Sequence, residues 1–266
     1  MIIKLFQYDP VWEDKAANKE IIWKILSEQN KISAETVSTE LGNEKLLVFP
    51  EMTLTGFSMK AAPMSETLGE STFGFFSSVA QSTGCHILAG MVENDDGRLH
   101  NTLMHIDNTG KLLNKYRKIH PFSVSGEDRY FSAGSLPVIT EIAGMKAGLS
   151  ICYDLRFPEL FRYYAKERVD IIINIANWPV QRIEHWKTLS RARAIENQCY
   201  FAGINRTGTD AYGHHYNGCS VLIDPLGHDV IPFSNEQNCI LEAEVNKEEV
   251  ARVREKLPFL SDMRLI

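Results

Sequence analysis

The chain contains no Cys-x-x-Cys pair. Its five cysteines, Cys85, Cys152, Cys199, Cys219 and Cys239, stand far apart. An odd count at that spacing supports neither a disulfide framework nor a zinc site. Most of the five are expected to be small buried apolar groups, which leaves open which one, if any, is reactive. The chain also lacks an excess of positive charge. Its 28 Lys and Arg against 34 Asp and Glu give a net charge of −6. That argues against a nucleic-acid partner, which calls for a basic stripe. No run approaches the roughly 20 apolar residues of a membrane span. The first ten residues, MIIKLFQYDP, turn polar too soon for a signal peptide. No membrane partner and a cytoplasmic location are therefore expected. Solenoid repeats and low-complexity linkers are missing too. His214 and His215 are adjacent, which suits a loop better than a coordination shell, so no metal is expected.

What is present is ordinary for a globular protein. Hydrophobic residues make up 44% and charged residues 23% of 266 residues. A chain of this length buries most of its apolar surface without staples, and a single domain over 1–266 is expected. Ile2 to Tyr8 reads as a strand that Asp9-Pro10 ends. Ile21, Ile22, Ile25 and Leu26 mark an amphipathic helix. Leu46-Leu47-Val48-Phe49 is wholly apolar and stopped by Pro50, as in a buried strand. Helix is expected over Thr72–Ser82, and strands over His86–Val92 and Leu103–Asp107. The second half repeats the alternation. Strands are expected at Met145–Cys152, Asp170–Ala176, Tyr200–Asn205, Ser220–Asp224 and Ile240–Val245, and helices at Pro158–Lys166, Ile183–Cys199 and Lys247–Glu255. Such alternation implies an α/β protein. Whether one sheet forms or two is not decided by the pattern.

Three polar residues sit where apolar strands stop: Glu51 after Phe49-Pro50, Cys152 after Ser150-Ile151, and Asn177 after Ile175-Ala176. In α/β folds, ligands bind outside the carboxyl ends of strands. A carboxylate, a thiol and an amide could therefore share one cleft. Taken singly, each has an ordinary reading. Glu51 suits a helix start or a wet loop, Cys152 a buried filler, and Lys118 a solvated basic turn within Lys115-Tyr116-Arg117-Lys118-Ile119-His120.

Together the segments say more. Phe49-Pro50-Glu51-Met52, then Tyr116-Arg117-Lys118-Ile119-His120-Pro121-Phe122, then Cys152-Tyr153-Asp154-Leu155-Arg156-Phe157-Pro158-Glu159-Leu160 resemble the three signature segments of the nitrilase (carbon–nitrogen hydrolase) superfamily, in order and in spacing. Asn177-Trp178-Pro179, His185-Trp186, Arg191 to Gln198 and Asp224-Pro225-Leu226-Gly227 agree, so the resemblance covers nearly the whole chain. It implies a four-layer α-β-β-α sandwich that dimerises through its helices. It also implies a Glu-Lys-Cys triad of Glu51, Lys118 and Cys152, with Glu127 as a second, supporting glutamate; a structural loop carboxylate is the plain alternative for Glu127. Thr53 to Met59, Asn177 to Arg182 and Arg254 to Pro258 resemble the bacterial omega-amidase branch, whose members hydrolyse the side-chain amide of 2-oxoglutaramate or 2-oxosuccinamate.

The chemistry suits these residue types. An amide is a poor electrophile, and a covalent route splits its hydrolysis into two easier steps. The thiolate is the competent nucleophile, yet a free thiol has a pKa of about 8.5. Lys118 as an ammonium would favour the thiolate, and Glu51 can take the proton and return it to departing ammonia. The Tyr153 backbone N–H and Lys118 are candidates to hold the oxyanion. No cofactor is required. A 2-oxo acid needs a cation for its carboxylate, and Arg156 and Arg182 are candidates. Arg156 could equally form a structural ion pair with Glu159. Phe57 and Trp178 could wall the pocket or simply pack the core. Rival readings are a nitrilase, an N-carbamoyl amidase or another amidase, a papain-like Cys152–His120 pair, and a scaffold protein without catalysis.

Overall fold

The structure is a computed structural model and describes residues 1–33 and 45–265. In chain order the elements are β1 (Ile2–Gln7), α1 (Lys15–Ser33), β2 (Lys45–Val48), α2 (Ala61–Met64), α3 (Ser71–Thr83), β3 (Cys85–Asp95), β4 (Arg98–Ile106) and β5 (Leu112–Arg117). Then follow β6 (Ile139–Ile142), β7 (Met145–Ile151), α4 (Pro158–Lys166), β8 (Ile171–Ala176), α5 (Ile183–Asn197), β9 (Tyr200–Asn205), β10 (Thr207–Thr209) and β11 (His215–Asn217). Last come β12 (Ser220–Ile223), β13 (Asp229–Ser234), β14 (Cys239–Glu244) and α6 (Lys247–Lys256).

The strands form two six-stranded sheets, ordered β14-β1-β2-β3-β4-β5 and β13-β12-β9-β8-β7-β6, with β10 and β11 as a separate hairpin. The central strands β1, β2 and β3 of one sheet are parallel, as are β7, β8 and β9 of the other. The period-2 alternation of side chains sorts the strands into layers. Ile3, Leu5, Leu46 and Val48 point into the core between the sheets, where they meet Leu149, Ile151, Ile173 and Ile175. Phe6, Leu47 and Phe49 point the other way, onto Ile22, Ile25 and Leu26 of α1 and Phe75, Phe76 and Val79 of α3. On the second sheet, Leu160, Phe161 and Tyr164 of α4 and Trp186 and Ala194 of α5 join the core. The result is the four-layer α-β-β-α sandwich that the resemblance implied.

Several boundaries differ from the sequence reading. β4 starts at Arg98 rather than Leu103, and β5 and β13 were not expected, because their short apolar pairs Leu112-Leu113 and Val230-Ile231 run straight into Asn114-Lys115 and Pro232. Their inward and outward residues include Asn114, Lys115 and Asp229, which the pattern does not distinguish from loop residues. β7 ends at Ile151, because Cys152 has φ +46° and opens a 3-10 turn, Cys152–Arg156. α5 stops at Asn197 rather than Cys199, because Gln198 adopts a left-handed conformation. The predicted Ser220–Asp224 strand ends one residue sooner, at Ile223.

Candidate active site

Four strands of the two sheets deliver polar groups to one region. β2 ends just before Glu51, β5 just before Lys118, β7 just before Cys152 and β8 just before Asn177. Lys118 is therefore a strand-end residue and not part of a solvated turn. It is 1% exposed. Its Nζ donates to Glu51 Oε1 at 2.9 Å and to Glu127 Oε1 and Oε2 at 3.1 and 2.8 Å. Both carboxylates are buried as well. Burial alone would lower the Lys118 pKa, but the charges of Glu127 and then Glu51 outweigh it and hold the ammonium well above its ordinary range. A buried ammonium facing two carboxylates stays charged.

Glu51 is held from every side. Its Oε1 also accepts from Asn101 Nδ2 at 2.7 Å, and its Oε2 accepts from the Asn177 backbone N–H at 2.9 Å and from Asn177 Nδ2 at 3.3 Å. Asn101 Nδ2 reaches Glu127 Oε1 too, at 2.9 Å, and so bridges the two acids. Glu127 further accepts the Phe122 N–H at 2.5 Å. Two glycines make room for this cluster. A Cβ at Gly90 would lie 2.5 Å from the Met52 nitrogen and 3.0 Å from Glu51 Cα. One at Gly134 would lie 2.1 Å from the Arg117 carbonyl oxygen, beside Lys118. At both, the backbone approach admits only glycine.

Cys152 is partly buried and its Sγ lies 3.9 Å from the Asn177 carbonyl oxygen. Burial, then the Glu51 charge, push its thiol well above the ordinary value, and Lys118 acts against them. The following turn is anchored by Asp154, whose Oδ2 accepts from Ile151 N at 2.9 Å and from the Tyr116 hydroxyl at 2.7 Å. Tyr153 supplies one of the first N–H groups of that turn, which lack partners within it.

A cavity of about 540 Å³ opens at Cys152. Phe57, Tyr153, Arg156, Asn177, Trp178 and Arg182 all line it. The four residues expected to bind substrate thus converge on the nucleophile candidate. Phe57 also stacks under Lys118, with Nζ 5.2 Å from its ring centre. Trp178 is 3% exposed and donates from Nε1 to the Arg182 carbonyl oxygen at 2.7 Å, so it both packs and lines. Neither Arg156 nor Arg182 forms an ion pair with a carboxylate among the described residues, and the Arg156–Glu159 pair does not form. Burial, and then the nearby Arg182 charge, hold Arg156 below the ordinary guanidinium pKa. The guanidinium of Arg156 lies over Trp178, 4.8 Å from its ring centre, and that of Arg182 over Phe122, at 5.3 Å.

His120 is engaged elsewhere. Its Nδ1 pairs with Asp154 Oδ1 at 2.7 Å and its ring stacks on Phe157 at 3.9 Å. His214 Nδ1 lies 3.1 Å from Asp210 Oδ2, within the loop joining β10 to β11. Among the described residues no group of three or more His, Cys, Asp or Glu is arranged to hold a metal ion, and no helix is long and apolar enough to cross a membrane. Sequence reasoning missed Asn101 and Asp210, which lines the cavity, and gave Asp154 no role although it stood in the third signature segment. Asn101 carried one weak signal, an amide among the strand residues Thr102, Leu103 and Met104.

Two stacked sheets that carry a thiol and a buried acid–lysine–acid cluster to one cavity define a sandwich hydrolase of the nitrilase type. A model of the carbon-nitrogen hydrolase family matches residues 3–255, and the chain belongs to that family. It is 34% identical over 257 residues to the 2-oxoglutaramate amidase of Bacillus subtilis, covering 95% of this chain and 98% of that one. It is 32% identical over 262 residues to the omega-amidase YafV of Escherichia coli K12, covering 98% and 95%. Among solved structures it superposes with a TM-score of 0.90 on XC1258 from Xanthomonas campestris, a CN-hydrolase superfamily protein with an arsenic adduct in its active site. That pair is 29% identical and the match covers 100% of this chain and 98% of the other.

Proposed function

We propose that the chain is an omega-amidase, which hydrolyses the side-chain amide of a small 2-oxo acid such as 2-oxoglutaramate or 2-oxosuccinamate to the dicarboxylate and ammonia. The observation that carries this reading is a cavity whose wall holds Cys152, Asn177, which also bonds Glu51, and two guanidiniums without carboxylate partners among the described residues. Unpaired guanidiniums in a cavity suit a substrate carboxylate.

Cys152 Sγ attacks the amide carbon as its proton passes to Glu51. The tetrahedral oxyanion is held by Lys118 Nζ and the Tyr153 backbone N–H, and losing one such donor typically costs about 10²–10³ in rate. Glu51 returns the proton to the nitrogen, the C–N bond breaks, ammonia leaves, and an acyl thioester remains on Cys152. Water then adds to the thioester while Glu51 takes a water proton, and collapse releases the carboxylic acid and restores the thiol. The high resting pKa of Cys152 fits proton transfer concerted with attack, with Glu51 as acceptor. Glu127 holds Lys118 charged and fixes its ammonium between the two acids. Phe57 and Trp178 wall the carbon chain, and Arg156 or Arg182 binds its carboxylate. The chain works as one catalytic domain, as a cytoplasmic homodimer, without a cofactor.

The test is a substrate panel with ammonia detection: 2-oxoglutaramate and 2-oxosuccinamate beside nitriles and N-carbamoyl amino acids. The two 2-oxo acid amides are expected to be turned over best. Absence of turnover on both would sink the reading.

A further inference from the structure

The His185-Trp186 pair stood among the sequence segments without a task. The structure offers one for His185. This residue lies in the first turn of α5 and is not among the residues lining the cavity. Its Nδ1 meets both Arg156 Nη1 and Arg156 Nη2 at 3.2 Å. A guanidinium only donates, so Nδ1 must be the unprotonated, accepting nitrogen. No other hydrogen bond of the Arg156 side chain occurs among the described residues. The other contacts that fix its guanidinium are the faces of Trp178 and Tyr153, at 4.8 and 5.9 Å. Among the described residues Arg182 shows no such tether; its guanidinium stacks on Phe122.

An arginine side chain carries about 2 kcal/mol of rotamer entropy, and a guanidinium held in place loses less of it on binding. A neutral acceptor also differs in kind from a carboxylate. Glutamate at this place would cancel the charge that an anionic substrate needs, whereas a neutral imidazole aims the guanidinium and leaves its charge intact.

We infer that His185 is a positioning residue that tethers Arg156 from outside the cavity, and that Arg156 rather than Arg182 is the anchor for the substrate carboxylate. The inference rests on the omega-amidase reading, so its test separates the two. Binding of 2-oxoglutaramate is measured by calorimetry in a Cys152→Ala background, and kcat in the active background. Arg156→Ala is expected to weaken binding about 100-fold, as for loss of a charge-assisted bidentate contact. Arg182→Ala is expected to weaken it less than about fivefold. His185→Ala is expected to weaken it about five- to tenfold, with kcat changed less than about twofold. His185→Asn, whose Oδ1 can accept in the place of Nδ1, restores binding to within about twofold. His185→Ala adds nothing once Arg156 is gone, because coupled residues are not additive.

If His185→Ala leaves binding unchanged while Arg156→Ala weakens it, the tether is wrong and the anchor stands. If His185→Asn binds as weakly as His185→Ala, the ring acts by packing and the inference fails. If Arg182→Ala is the damaging change, the anchor assignment falls. If 2-oxoglutaramate does not bind the background protein at all, the omega-amidase reading fails and takes this inference with it.

Discussion

At the scale of the residue, Cys152 is one of five cysteines, and its own chemistry does not select it. The other four have high thiol pKa values for the same first reason, burial. What distinguishes Cys152 is that Glu51, Lys118 and Glu127 all act on its thiol. Cys152→Ala is expected to eliminate turnover while thermal unfolding stays within a few degrees, since the change removes one sulfur from the cavity wall; residual turnover above about 10⁻⁴ of the parent would point to another nucleophile. A thiol held well above its ordinary pKa has a thiolate fraction that still grows at alkaline pH. Alkylation of the resting protein by iodoacetamide should therefore accelerate through pH 9 without a plateau, and a plateau near neutrality would reveal a preformed thiolate. Lys118→Ala should abolish activity, because it leaves Glu51 and Glu127 buried and uncompensated. His120→Ala should leave a measurable remainder, because His120 pairs with Asp154 and not with the thiol. The opposite ranking in a turnover assay would restore the papain-like alternative. These residues also mark what could be read in advance. Glu51 and Cys152 follow continuous apolar runs and were visible as strand ends. Lys118 looked like a solvated charge, because the acids that make its burial tolerable lie 67 and 9 residues away in the chain. Asn101 was invisible for a related reason: its two partners, Glu51 and Glu127, lie 50 and 26 residues from it.

At the scale of the element, legibility followed burial on both faces. β8 is buried along its whole length and β2 from Leu46 onward, and both read as apolar runs, broken in β8 only by Asn174. β5 did not, because Asn114, Lys115 and Arg117 spend their polar ends on Thr140 and Glu93. Elements also impose tight contacts. Gly90 of β3 lets the turn at Glu51 approach: Thr53 N donates to its carbonyl oxygen at 3.0 Å. Gly90→Ala is expected to cost about 1–3 kcal/mol of stability and to reduce kcat about 100-fold or more by displacing Glu51, as overpacking near a reacting group does. Denaturation and kcat measured together would check both, and a stable variant with unchanged kcat would refute it. Between the sheets, His105 of β4 joins His86 Nδ1 at 3.0 Å on one side and Thr140 Oγ1 of β6 at 2.7 Å on the other. Burial, then the His86 charge, push the His105 pKa down to about 4. The unfolded chain takes this proton near the ordinary imidazole pKa of 6.5, and the folded protein resists it until about 4. This group's contribution to stability is then fully present above about pH 6.5 and is lost as pH drops towards 4, by roughly 3 kcal/mol. Urea unfolding of the parent and of His105→Gln across that window is the check: the variant should lose part of the slope, and an equal slope in both would discard the assignment.

At the scale of the whole molecule, the proposed homodimer needs a surface, and α4 and α5 on the outside of the second sheet offer one. Ile195 of α5 is 47% exposed and Tyr163 of α4 is 38% exposed. Leu226, in the turn between β12 and β13, and Val230 of β13 are also exposed. These residues are neighbours. Arg162 of α4 donates to the Glu196 carbonyl oxygen of α5, and Arg191 of α5 pairs with Asp229 at 2.8 Å. Gly227 sits so close to Ile195 that a Cβ there would lie 2.6 Å from its side chain. Exposed apolar groups clustered on α4, α5 and the adjoining β12–β13 hairpin, with polar neighbours paired within the chain, are the composition of a self-association patch. A stable dimer buries roughly 800 Å² on each partner, so a charge at the centre of such a patch is costly. Ile195→Glu combined with Leu226→Glu should therefore convert a dimer into a monomer by sedimentation velocity. The cavity and the Glu51–Lys118–Glu127 cluster are built from loops and strand ends of one chain, so the monomeric variant is expected to keep kcat within about threefold at low temperature. Its unfolding temperature should no longer depend on protein concentration, as mass action requires of a protein that has stopped associating. A parent that sediments as a monomer would remove the dimer. A monomeric variant without activity would instead mean that the outer helices hold the Cys152 turn in place through α5.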